Sequence, residues 1–194
     1  MGEQSVSKLR DLAHSGQLSV DDLRDLLDRL SASFDESEQY DLLSILGNSH
    51  ATEYVDVVVS FLQDPDPMLQ RLALMILCDE WNMSLRFRDE LLTRMKGVDG
   101  DALYLIRDAA LLSAASALRQ RLDLEILSEL IRTVEGSREP VGSRHAAYVS
   151  LAMTVGEPWP SLPLDPRRFL PARDIKPSVL EQARRLLTSG SGCE

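Results

Sequence analysis

The chain is short of aromatic residues, of cysteine and of any long apolar run. Phe, Trp and Tyr make up 5% of its 194 residues, too few for the aromatic and β-branched pairs that hold sheets together, whereas Leu and Ala abound and favour helices. No apolar stretch reaches the roughly 18 residues of a membrane span. The opening MGEQSVSKLR lacks the basic-then-apolar order of a secretory signal, and Val6 stands where a myristoylation motif wants Ser or Thr. Asn82-Met83-Ser84 matches a glycosylation pattern by its letters alone. Only two cysteines occur, Cys78 in an apolar helical run and Cys193 beside the C-terminus; that usage reads as one buried thiol and one tail thiol, not a disulfide. The expectation from these absences is a cytoplasmic protein without a membrane role.

Groupings that carry chemistry are also scarce. None of His14, His50 and His145 has a second histidine or a cysteine three or four residues on, the spacing that would suggest a metal site on a helix. There is no phosphate-cradling glycine loop, nucleophile elbow or cysteine cluster. The abundant carboxylates follow helix logic instead of converging on a cleft. We expect no catalytic residue, no metal and no cofactor, hence a non-enzymatic protein.

Basic residues are missing from one region in particular. Residues 1–66 hold 14 acidic and 4 basic side chains, while 67–194 hold 17 of each, so the formal charge of −10 sits wholly in the first third. Asp21, Asp22, Asp25, Asp28, Asp35, Glu36, Glu38 and Asp41 fall within 21 residues. In VDDLRDLLDRL, Val20, Leu23, Leu27 and Leu30 form an apolar stripe, and Asp21, Asp25 and Asp28 recur at helical spacing on another face. Such a block repels nucleic acid and steers basic proteins toward itself. The stretch 165–185, with six basic and three acidic residues, is a local exception.

What the chain does have is a repeat. MLQRLALMILC (68–78), LIRDAALLSAA (105–115) and GSRHAAYVSLA (142–152) superpose without gaps, placing Gln70, Arg107 and Arg144 at successive intervals of 37 residues; SEQYDLLSILG (37–47), with Gln39, fits at a shift of 31. Second helices align between them: YVDVVVSFL (54–62), FRDELLTRM (87–95), LEILSELIR (124–132) and VLEQARRLL (179–187). A period of about 37 is two helices and two turns. Val55–Val59 could pass for a strand, but its place in the repeat predicts helix. Ser19 with Asp22 predicts a capped helix start, Pro67 a first-turn proline, and Gly47, Gly97, Gly136 and Gly190 left-handed helix ends.

Asp64-Pro65-Asp66-Pro67 followed by Leu69 and Leu72-Ala73 resembles the inter-repeat turn and first helix of HEAT-type α-solenoids. Gly100-Asp101 with Arg107-Asp108-Ala109-Ala110, and Glu139-Pro140 with Arg144-His145-Ala146-Ala147, look like later copies. The arginine of that family's pattern is Gln70 in the first of these, with Arg71 one residue late. The resemblance covers roughly residues 35–187. It implies an all-α, right-handed solenoid in one domain, with pairs at 35–62, 66–96, 101–135 and 140–188, two N-terminal capping helices within 1–32 and a flexible tail at 189–194. It implies little about function, since this scaffold serves many roles.

Residues 156–177 break the pattern with Pro158, Pro160, Pro163, Pro166, Pro171 and Pro177, which forbid a long helix. Asp165-Pro166 could open one short turn. Trp159, Leu164, Phe169 and Leu170 either fold back to seal the last repeat or, with Arg167, Arg168 and Arg173 beside them, anchor a partner.

Compact size, absent catalytic motifs and one-sided acidity together resemble small acidic bacterial immunity proteins, which neutralise a cognate, often basic, toxin. The alternatives are an adaptor or assembly factor in a larger complex and, further off, a lyase-like HEAT enzyme subunit. The candidate partner-binding residues are Asp21, Asp22, Asp25, Asp28, Glu38 and Asp41 in the acidic block, Glu53, Asp56, Arg88 and Asp89 on second helices that would line a concave face, and Trp159 in the proline-rich loop.

Overall fold

The computed structural model describes residues 5–190, and among these every regular element is helical. Residues 191–194, which include Cys193 and most of the expected tail, lie outside the described residues. No described helix is long and apolar enough to cross a membrane. The chain divides into two compact units, Met1–Met83 and Ser84–Glu194. The division falls inside the pair expected at 66–96.

The first unit contains α1 (Val6–His14), α2 (Val20–Ala32), α3 (Glu36–Asn48), α4 (Val55–Ser60) and α5 (Pro67–Met75). Their starts follow from side-chain caps, which satisfy N–H groups that a helix leaves unpaired at its first turn. Ser5 caps α1, Ser19 and Asp22 form a reciprocal capping box on α2, Asp35 caps α3 and Asp66 caps α5. Pro67 takes the first position of α5 as expected, where its missing N–H is harmless. Val55–Val59 is helical, extended at each end by a single 3-10 turn. Helices α1 and α2 both pack on α3, and α3 packs on α5.

Two sequence expectations fail in this unit. Val20 is 67% exposed, and the buried residues of α2 are Leu26 and Leu30, with Leu23 and Leu27 only half-buried. Gly47 does not end α3; it lies inside the helix, buried, where a Cβ would stand 2.6 Å from Ile76 Cγ1. Its role is close helix approach. Beyond Met75 the backbone widens into a π-turn over Ile76–Glu80, in which Trp81 N–H donates to Ile76 O at 2.8 Å. Trp81 Nε1 then donates at 2.9 Å to the Gly47 carbonyl, an oxygen in the last turn of α3 that also accepts from His50 N–H.

The second unit contains α6 (Arg88–Lys96), α7 (Leu105–Gln120), α8 (Leu124–Glu135), α9 (Val141–Thr154), α10 (Pro171–Asp174) and α11 (Pro177–Gly190). Helix α7 packs broadly on α9 and also on α6; α9 packs on α8, and α11 covers α8 and α9. Ala109, Ala110, Ala146 and Ala147 are buried, as the small-residue pattern anticipates. Gly97 ends α6 with φ of 104°, but Gly136 has an ordinary φ of −64° and Gly190 is the last residue of α11. The turn at Asp165 is present, closed by Arg168 N–H to Asp165 O, and the proline-rich segment adds α10 after it.

One interaction recurs at the repeat position. Gln39 Nε2 donates to Ser33 O at 2.9 Å and Gln70 Nε2 to Asp64 O at 2.6 Å. In the second unit Arg107 Nε donates to Met95 O at 2.9 Å and Arg144 Nε to Val134 O at 3.0 Å. Each side chain reaches back from the first turns of its helix to a carbonyl of the segment before it, one that a helix end or turn leaves without an intrahelical donor.

Candidate protein-docking surfaces

The acidic residues of the first unit divide by task. Asp22 belongs to the α2 capping box. Glu38 accepts from Arg29 at 2.8 Å and from Ser33 at 2.9 Å, bonds that hold its carboxyl below the usual range. Asp41 accepts from Arg10 at 2.7 Å, tying α3 to α1. Asp25 is half-buried, with Oδ2 lacking a partner among the described residues. Asp21, paired loosely with Arg24, and Asp28 are exposed. Of the six expected here, Asp21 and Asp28 are the most available, and Glu38, Asp41 and Asp22 serve the fold as well.

Sequence reasoning missed the most conspicuous feature of this unit. Phe34 is 100% exposed. It precedes Asp35, the N-cap of α3, so it occupies the position from which an apolar side chain normally packs on the fourth residue of the helix. That residue is Gln39, which is engaged with Ser33 O. With no apolar group to cover it, Phe34 stays in water; the signal was in the sequence as an aromatic at that position without its mate. Nearby in the chain, a groove of about 250 Å³ is lined by Glu36, Ser37, Tyr40, Asp41, Asp66 and Met68. Its walls are carboxylates around a tyrosine and a methionine. Glu53 and Asp56 are exposed on the α4 segment.

In the second unit Arg88 is not a free docking residue. Its Nε donates to Asp123 at 2.6 Å and its guanidinium also pairs with Glu125 at 2.8 Å and Asp89 at 2.8 Å. Asp123 caps α8 through Glu125 N–H and Ile126 N–H. Burial works against its charge, but Arg88 and these two N–H groups hold its carboxyl low. Arg88 thus fastens α6 to the start of α8, and Asp89 and Glu125 are the exposed members of the group. A deeper network surrounds Arg107, which is buried: it donates to Glu139 at 2.7 Å, and Glu139 also accepts from Arg132 at 3.0 Å. The Arg107 bond is the main cause of Glu139 lying below the ordinary carboxylate range. Asp108 has the opposite bias. Burial raises it, partly offset by Ser143 Oγ donating at 2.6 Å across to α7.

The proline-rich segment lies on α9. His145 Nε2 meets Pro163 O at 2.5 Å, Phe169 stacks with Tyr148 and meets His145 edge-on, and Leu162 and Phe169 are buried. Trp159 is not part of that seal and stays 60% exposed. Among the described residues no three His, Cys, Asp or Glu side chains are placed to hold a metal ion. Comparison with family models, with curated proteins and with solved structures finds no match to this chain.

Proposed function

We propose that this chain is a non-enzymatic, HEAT-like helical-repeat protein whose acidic first unit docks a basic protein, with a basic toxin domain that it neutralises as the leading candidate. The observation that carries the reading is Phe34, wholly in water and followed directly by Asp35 and Glu36. An aromatic ring is a strong interface anchor, and the carboxylates around it supply steering and selectivity for cations. The groove lined by Glu36, Asp41, Asp66, Tyr40 and Met68 offers a place for an aliphatic-stemmed Lys or Arg. The repeat part of the reading draws on Gln39, Gln70, Arg107 and Arg144 making one kind of bond at one repeat position.

The test is binding of the purified chain to a basic toxin domain from the same source, with toxin activity as the second readout. Phe34→Ala is expected to weaken binding by about 30-fold, the size of a loss at an interface hot spot. Asp21→Lys with Asp28→Lys should slow association and flatten its salt dependence, leaving dissociation less changed. Binding that ignores all three substitutions sinks the proposal.

A further inference from the structure

We infer that the proline-rich segment of the second unit is a separate docking surface, shaped to take an acidic protein segment with an apolar anchor. The inference does not depend on the reading of the first unit. One side of the segment is fixed to α9 by the Pro163, Leu162 and Phe169 contacts already described. Lys176 adds two more fastenings, its N–H to the Tyr148 hydroxyl at 3.2 Å and its ammonium to Glu157 at 2.7 Å. Prolines restrict the backbone further, so little freedom is left to lose when a partner binds.

The other side is unlike an ordinary loop surface. Trp159, Leu164 and Leu170 are 60%, 45% and 55% exposed. These residues alternate along the chain with the buried Leu162 and Phe169, so a single segment presents apolar groups both inward and outward. A cavity of about 380 Å³ opens here, with Leu164, Arg168, Arg173 and Lys176 among its lining residues. That is within the size range of sites that hold a side chain or small ligand.

The charges say which partner fits. Arg173 is neutralised by Asp174 and Lys176 by Glu157. Arg168 is 87% exposed and only 3.4 Å contact with Asp165 engages its charge. Arg167 is exposed and adds a further cation. A carboxylate-bearing segment would meet the two available guanidiniums of Arg167 and Arg168 beside a recess of mixed lining, in which Leu162, Pro163 and Leu164 stand with Asp165 and Asp174, the latter already paired with Arg173. A nucleic acid duplex or an anionic membrane would instead present its charge to the whole chain, whose net charge is −10. A short peptide meets the patch alone, because charges beyond roughly 8 Å are screened at physiological salt.

The probe is a fluorescent peptide of aspartates and glutamates around one central phenylalanine, titrated into the full chain and followed by anisotropy. We expect saturable binding, weakened about tenfold or more by Arg167→Glu with Arg168→Glu and similarly by Trp159→Ala, with no binding of the lysine counterpart of the peptide. These positions are exposed, and an unchanged melting temperature confirms that each variant is folded. Absence of saturable binding up to about 1 mM peptide overturns the inference. So does an affinity indifferent to both variants, or binding of RNA or anionic vesicles that the double arginine variant abolishes while the peptide is ignored.

Discussion

The two units solve the same local problem with different chemistry. At the repeat position, the first unit uses the neutral amides of Gln39 and Gln70 to reach a carbonyl, and the second uses the guanidiniums of Arg107 and Arg144. A guanidinium needs a counter-charge when buried, and Glu139 provides it for Arg107, drawing Arg132 into the same network. In the second unit, acids are therefore partnered by bases where helices meet. In the first, helices meet through apolar surface, a glycine and two ion pairs, Arg10 with Asp41 and Arg29 with Glu38, and most of the acidic excess is left without a basic partner. Composition sets this difference: the second unit has bases enough to partner its acids, and the first does not.

The largest test of that contrast is to remove the donor on each side. Arg107→Ala leaves Glu139 and the Met95 carbonyl without their main partner in a buried setting, and should destabilise the second unit by about 3 kcal/mol or more. Gln70→Ala removes one neutral bond and should lower stability by about 1 kcal/mol. Urea unfolding of both variants, followed by hydrogen exchange in each unit, measures the difference; equal losses would erase the distinction. Gly47→Ala probes the apolar side. The added methyl must displace Ile76, an overpacking expected to cost about 1–3 kcal/mol and to shift the emission of buried Trp81, read in a Trp159→Phe background.

The smallest effect concerns pH and Asp108. Its folded value is raised by burial, so its contribution is present below the ordinary carboxylate value and is lost as pH rises through the raised one. Glu139 runs the other way: lowered by Arg107, it stabilises above its ordinary value of 4.5 and that stabilisation is lost as pH falls through its depressed one. Asp108→Asn keeps an acceptor for Ser143 and removes the buried charge. It should raise the melting temperature at neutral pH and leave the loss of stability in acid intact. A melting curve unchanged between pH 5 and pH 7 relative to the parent would remove Asp108 from the account.

Much of the helical framework could be read from residue order because its signals are local. Caps such as Ser19 with Asp22, the proline at 67 and the 37-residue spacing of Gln70, Arg107 and Arg144 depend on near neighbours and short periods. The candidate docking surface was harder to read, since exposure depends on what lies opposite. Asp21, Asp25 and Asp28 share a helical spacing, yet Asp25 turns partly inward while Asp28 faces water. Arg88 looked like a surface cation until Asp123 and Glu125 came within reach from another helix. Gly47 resembled a terminator because its partner, Ile76, is 29 residues away. Phe34 is the exception that could have been read locally, through the missing apolar mate at Gln39.

The widened turn at Ile76–Glu80 has a bearing on how the repeats compare. A loop of backbone closed by one more residue than usual offsets the angular phase of the residues within it. Up to Met75 the stretch is ordinary α-helix, like the stretch within α7 that its sequence matches. Past that point Cys78 lies in the π-turn, whereas Ala115, its match in a gapless overlay of the sequences, lies in ordinary α-helix. The turn behaves like a washer set into a threaded rod: it is thin, yet it decides which way the next flat side faces, and here that side carries Trp81.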